Sequence, residues 1–253
     1  MKVFLTGASS GIGAALASHY AASGAQLGLF ARRADALAKL AALLGSASPA
    51  VYVGDVRDAG SLREAASDFI ARIGVPDIVI ANAGVSVGTS TAHAEDNEVF
   101  RAIVDTNVLG MVHTFQPFHS AMLAARHGTL AGIASVAGFR GLPGAGAYSA
   151  SKAAAIAYLE SLRVELVGSG VAVVTICPGY IATPMTEGNP YPMPFLLRAD
   201  RAAQLIARAI DRQRSFYVLP WQMAWLGRLL KILPRPIYDH ALAGRPGKPR
   251  VRQ

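Results

Sequence analysis

Tyr148 and Lys152 stand four residues apart at the head of an alanine-rich run, YSASKAAAIAYLESLRVEL. Residues i and i+4 share a helix face, so a phenol and an ammonium point the same way. As a chance pair they would be packing or a solvated edge; as chemistry, the ammonium tunes the phenol for proton transfer. Ser149 to Lys152 also reads S-x-x-K, a serine-nucleophile signature, but its S-D-N and K-T-G companions do not occur. A second cluster is TGASSGIG, Thr6 to Gly13. Gly7, Gly11 and Gly13 suit a tight strand-to-helix turn whose backbone, with Ser9, Ser10 and Ile12, approaches a pyrophosphate at a helix N-terminus. The same stretch fits the nucleophile elbow G-x-S-x-G. That elbow follows a central strand with an oxyanion loop from an earlier one, and no earlier strand precedes Gly7. Arg32 and Arg33 form the third cluster. At the end of a second strand an acid would select the ribose hydroxyl of NAD, whereas two guanidinium groups suit the 2′-phosphate of NADP.

These groups need elements to hold them. Short apolar runs predict strands over 3–6, 26–31, 50–55, 77–82, 128–135, 171–177 and 215–220. Helical periods fall between them at 12–23, 35–44, 59–73, 95–125, 148–167 and 199–213. Near-continuous apolar strands alternating with helices imply an α/β fold: one doubly wound, Rossmann-type parallel sheet of about seven strands, helices on both faces. No linker or repeat interrupts the chain, so 1–253 reads as one domain. Ligands in such folds bind beyond the carboxyl ends of strands.

The chain is 52% AVILMFWYC and 16% charged, which argues against disorder. No apolar run reaches the ~18 residues of a spanning helix, and the early glycine motif is expected to leave no room for a signal peptide; both point to the cytoplasm. Cys177, the sole cysteine, sits in the β-branched run VAVVTIC and reads as core. The six histidines lack metal-ligand spacing, so no metal is expected. Residues 198–253 carry 12 Lys/Arg against 3 Asp/Glu, while 1–197 carry 12 against 13. The basic excess therefore belongs to the tail, without base-reading or stacking motifs, and nucleic acid is not expected.

Taken together, the chain resembles the short-chain dehydrogenase/reductase family of the one-domain kind. The matching elements are Thr6 to Gly13, Asp55-Val56, Asn82-Ala83-Gly84, Asn107, Ser135, Tyr148-x-x-x-Lys152, Pro178-Gly179 and Thr183, in order over residues 1–185. The resemblance implies hydride transfer between nicotinamide and a carbonyl or alcohol carbon, with Tyr148 as general acid/base. Lys152 would favour the phenolate and bind the nicotinamide ribose. Ser135 would orient the substrate oxygen, and Asn107 would hold a proton-relay water. It places Asp55, Val56, Asn82, Ala83, Gly84, Pro178, Gly179, Ile181 and Thr183 against the cofactor, with NADP(H) favoured over NAD(H). The chain departs from the NADP-binding variant in the glycine loop, where Ser9 and Ser10 stand in place of the basic residues of some members. A regulator or scaffold that binds cofactor without turnover is the alternative, although all four catalytic residue types are present.

Residues 184–198 are expected to form a substrate-side loop. Met185, Tyr191, Met193, Phe195 and Leu196, with Phe139 and Leu142, would make its wall apolar and suit a hydrophobic ketone or alcohol. Residues 221–253 read as a basic amphipathic extension. Its helix at 221–233 is expected to pack on the core, the substrate mouth or a partner subunit of a homo-oligomer. A weak contact with an anionic membrane is the other role open to it.

Overall fold

The computed structural model describes residues 1–244 and 246–250, and of Ser46 the backbone alone. Its strands are β1 (Lys2–Thr6), β2 (Gln26–Ala31), β3 (Ala50–Val53), β4 (Ile78–Ala81), β5 (Thr129–Ile133), β6 (Ala172–Pro178), β7 (Ile181–Ala182), β8 (Leu197–Arg198) and β9 (Phe216–Leu219). Seven of them form one parallel sheet in the order β3-β2-β1-β4-β5-β6-β9, and β7 pairs with β8 apart from it. The chain reverses direction across the sheet between β1 and β4, which opens a crevice at their carboxyl ends.

Side chains alternate across a strand, so one strand feeds two cores. Val3 and Leu5 enter one, and Phe4 enters the other. On the first face lie α1 (Gly11–Ala22), α2 (Ala34–Leu44) and α7 (Ala199–Asp211). Ala202, Ala203 and Ala207 let α7 approach α1 closely, against Leu16, Ala17 and Tyr20. The second face carries α3 (Ala59–Arg72), α5 (Gly110–Ala125) and α6 (Gly146–Glu165) over an aromatic cluster. Phe4 meets Phe118 at 4.7 Å between centroids and Phe69 edge-on at 5.5 Å. Gly28 in β2 makes room for them: a Cβ there would stand 2.7 Å from the Phe4 ring. Truncating Phe69 to alanine is expected to cost about 3–5 kcal/mol.

The stretch 95–125 is not the single helix its periodicity suggests. It divides into α4 (Asp96–Val104), a π-turn over Asp105–Leu109, and α5. Gly110 passes so near the loop after β3 that a Cβ would stand 2.6 Å from Val56 Cγ2. The wide turn at this crossing buries Asn107, a placement such turns often serve. Two further helices follow β9, α8 (Trp221–Ile232) and the unforeseen α9 (Arg235–Leu242), where Pro236 fits the first turn. Of the expected extension 221–253, residues 245 and 251–253 lie outside the described residues.

Candidate active site

The glycine turn between β1 and α1 is fixed by sterics. Gly7 and Gly11 have φ of +67° and +56°, a region that favours glycine. A Cβ on Gly7 would come within 2.7 Å of Ala83 Cα, and one on Gly13 would overlap the Gly7 carbonyl. Gly13 therefore packs beneath the turn, outside the cleft lining. Asn82 locks the turn to the end of β4, its Nδ2 donating to the carbonyls of Thr6 (3.0 Å) and Gly7 (3.2 Å). The first turn of α1 carries no acidic residue, so its N–H groups and dipole suit an anion.

Arg33 reaches back over this turn and donates from Nη2 to Ser9 Oγ at 3.1 Å. Arg32 stands 3.8 Å from Asp55. Asp55 is chiefly engaged by Arg57, which donates from Nη2 at 2.6 Å and from Nε at 3.0 Å. Burial acts to raise the Asp55 carboxyl, but Arg57 and the more distant Arg32 hold it below its ordinary value. Asp55 lies outside the cleft lining, because this pairing turns it to Arg57; Val56 beside it does line the cleft. With Asp55 occupied, the exposed Arg32 guanidinium stays open to a further anion.

At the other end of the cleft, Ser135 follows β5 and Tyr148 and Lys152 begin α6. Ser135 Oγ accepts the Ala137 N–H at 3.1 Å and donates to the Pro178 carbonyl at 3.4 Å. Burial raises the Tyr148 phenol above its ordinary value, while a hydrogen bond with Ser135 pulls the other way. Lys152 is buried and donates to the Ile133 carbonyl at 2.7 Å, with Nζ 5.8 Å from the Tyr148 ring centroid. Burial draws its pKa down to about 8. Desolvation is the largest influence on the Tyr148 phenol, with the Lys152 ammonium 5.8 Å from its ring. Asn107 is buried nearby. Its Nδ2 donates to Val85 O (3.0 Å) and Ser151 Oγ (2.9 Å), and its Oδ1 accepts the Val85 N–H at 2.8 Å. Outside the cleft lining, it holds the segment after β4 against α6. Burial pushes the Cys177 thiol up to about 12, in keeping with a core residue.

One cleft of about 270 Å³ joins both ends. It brings together Gly7, Ser9, Ser10, Gly11, Ile12, Arg32, Arg33, Val56, Asn82, Ala83, Gly84, Ser135, Tyr148, Lys152, Pro178, Gly179, Ile181 and Thr183. Sequence reasoning missed Thr106, Val85 and Thr186 in its lining. Thr186 braces the loop after β7, its hydroxyl accepting the Thr183 N–H at 3.1 Å and donating to Ile181 O at 2.6 Å. The hydroxyl three residues beyond Thr183 was a readable signal of such a turn. Two expected wall residues face elsewhere. Phe139 packs on Gly227 of α8 and stacks on Phe216 at 6.1 Å, and Phe195 joins Trp221 and Trp225 at an outer groove. The glycine cradle, the bare helix N-terminus and the two arginines fit a dinucleotide.

A family model described as short chain dehydrogenase matches residues 1–191. An uncharacterized oxidoreductase of Myxococcus xanthus is 41% identical over 242 residues, covering 94% of each chain. Among solved structures, an alcohol dehydrogenase of Thermococcus sibiricus complexed with 5-hydroxy-NADP has TM-score 0.75 at 28% identity, covering 87% of this chain and 96% of that one. A short chain dehydrogenase of Burkholderia cenocepacia in complex with NADP has TM-score 0.83 at 24% identity, covering 96% and 98%, a likeness of fold.

Proposed function

The chain belongs to the short-chain dehydrogenase/reductase family of oxidoreductases acting on CH–OH and C=O groups, and we propose that it is an NADP(H)-dependent carbonyl reductase or alcohol dehydrogenase. The observation that carries this reading is the single cleft with an anion cradle and two arginines at one end and Ser135, Tyr148 and Lys152 at the other. The cofactor, when bound, supplies or accepts the hydride. Ser135 orients the substrate oxygen by hydrogen bonding. Tyr148, protonated at neutral pH, gives its phenolic proton to that oxygen during reduction and takes it back during oxidation. Lys152 binds the nicotinamide ribose and carries positive charge toward the phenol. Asn107 positions this group through Val85 and Ser151; a water beside its Oδ1 would complete a path from Lys152 to solvent. Nothing in the site favours a non-catalytic scaffold, since every polar group required for proton transfer is present.

Arg32 and Arg33 support NADP(H) over NAD(H), as guanidinium pairs suit a phosphate monoester. Met185 and the apolar residues of 184–198 support a hydrophobic ketone or alcohol as substrate. On this reading 1–253 is one cytoplasmic catalytic domain, and exposed Phe100 and Val164 on α4 and α6 support a homo-oligomer. The outward tryptophans of α8 support weak peripheral contact with an anionic membrane; no helix among the described residues is long and apolar enough to cross one. A panel of ketones and alcohols, followed by nicotinamide absorbance in both directions, tests the activity. No turnover above background with any of them would refute it.

A further inference from the structure

The last described residues return over the catalytic face and touch three loops at once. Gly88, beyond β4, donates its N–H to the Pro249 carbonyl at 3.0 Å. Gly144, four residues before Tyr148, lies so near that a Cβ there would stand 2.9 Å from Gly247 Cα and 3.0 Å from Lys248 N. Lys248 Nζ donates to the Met185 carbonyl at 3.2 Å, and Met185 lines the cleft. Arg250 anchors the segment. Its Nε and Nη2 donate to the two oxygens of Asp96 at 2.7 and 2.9 Å, and Nη2 also to Glu95 at 3.1 Å. Asp96 in turn accepts the Ser90 N–H at 2.7 Å. A bidentate arginine–carboxylate pair fixes geometry as well as charge.

The two cations of this segment differ in what they meet. Arg250 is neutralised by Asp96 and Glu95, whereas among the described residues Lys248 forms no ion pair and uses one of its three donors on a carbonyl. Burial draws its pKa below the lysine value, as befits a cation without a counter-ion. The arginines assigned to the cofactor phosphate, Arg32 and Arg33, lie at the glycine-turn end, where Arg33 donates to Ser9, whereas Lys248 reaches the Met185 carbonyl. We propose that Lys248 is a substrate-recognition residue, held at the mouth by Arg250, that receives a carboxylate or phosphate carried by the ketone substrate. The substrate is then amphipathic, with an apolar body against Met185 and an anionic end at Lys248. This deepens the reductase reading and rests on it.

The test compares 4-acetylbenzoate with 4-acetylbenzamide, near-isosteres that differ in charge. A charge-assisted hydrogen bond predicts that the unmutated protein prefers the carboxylate by roughly tenfold or more in kcat/KM, through KM. Lys248→Met is expected to bring the ratio to near unity and Lys248→Arg to preserve it. Arg250→Gln, which frees the anchor, is expected to lower it at least about threefold. Equal use of the two compounds by the unmutated protein, or a preference that survives Lys248→Met, overturns the proposal; an Arg250→Gln ratio equal to that of the unmutated protein overturns the anchoring. Calorimetric titration onto the NADP⁺-loaded protein reads the same preference without turnover. A protein that binds the carboxylate selectively through Lys248 yet reduces no ketone would sink the reductase reading and leave this one standing.

Discussion

The two ends of the cleft are built by different means. The cofactor end is set by backbone sterics within neighbouring segments: Gly7, Gly11 and Gly13 admit no Cβ without strain or overlap, and Asn82 ties their turn to β4. The substrate end is assembled from distant segments by side chains. Phe139 fills the notch at Gly227, and Met223 lies over Gly179. Arg140 Nη1 donates to the Leu230 and Leu233 carbonyls at the end of α8 (2.8 and 3.1 Å), and its guanidinium lies 4.0 Å over the Tyr238 ring. The Tyr238 hydroxyl donates to Gly141 O at 2.7 Å. Steric necessity leaves one solution at the first end. Side-chain docking at the second can be re-specified without disturbing the nucleotide turn, so substrate choice can vary over a constant cofactor site.

The largest effect is expected where the ends meet. Tyr148→Phe should lower turnover by about 10²–10⁴-fold, the worth of a positioned general acid, while NADPH affinity measured by fluorescence titration changes little. A variant retaining most of its kcat would remove Tyr148 from the chemistry. The pH profile sharpens this. A general acid must be protonated, and burial raises the Tyr148 pKa, so reductive kcat should hold across neutrality and fall only as pH rises through that raised value. An inflection near 8 would instead report Lys152, whose pKa burial lowers to about 8.

Next comes the cofactor end alone. Replacing Arg32 and Arg33 by alanine should raise KM for NADPH about ten- to hundredfold, from ~1.5–3 kcal/mol of charge-assisted contact, and leave that for NADH nearly unchanged. Equal efficiency of the unmutated protein with both cofactors would contradict the assignment.

A milder change should separate the two ends. Gly227→Ala would drive a Cβ into the Phe139 ring, an overpacking expected to cost about 1–3 kcal/mol. Tm should fall and ketone KM should rise, with NADPH affinity held. Loss of NADPH affinity in step with ketone affinity would show that the ends are mechanically one.

The same contrast explains what was legible in the sequence. The sheet, its seven strands and the glycine turn follow from local apolar runs and from spacing along a single βα unit. The split of 95–125 was hidden because a π segment of five residues is too short to interrupt the apolar pattern of the flanking helices, and the crossing of Gly110 over Val56 beside it is a long-range contact. The engagement of Asp55 by Arg57 was not legible, because the sequence does not reveal the direction of the Arg57 side chain. Phe139 was assigned to the substrate wall by position between Ser135 and Tyr148; only the docking of α8 turns it away. The basic tail read as a diffuse excess of charge, whereas Arg250 and Lys248 have separate partners that lie far away in sequence.

The smallest expected effect lies on the outer face of α8. Met223 and Gly227 turn inward, while Trp221, Trp225, Leu229 and Ile232 are 68%, 64%, 55% and 78% exposed along one stripe. Arg228 lies 5.4 Å over the Trp225 ring, and Lys231 and Arg235 follow. Tryptophans beside cations suit the headgroup boundary of a membrane, and each basic residue near an anionic surface adds about 1 kcal/mol. On the proposed membrane reading, three such residues would give weak, salt-sensitive attachment. The protein should therefore pellet with phosphatidylserine vesicles at low salt and be released at high salt, and Trp221→Ser with Trp225→Ser should abolish pelleting. Because both indoles are exposed, the double variant should keep its Tm and its NADPH affinity. Absence of pelleting at low salt would assign the stripe to a protein contact instead, such as a second copy of the chain. In that case the double variant should shift the mass measured by light scattering, and the substrate end would be completed by assembly rather than by lipid.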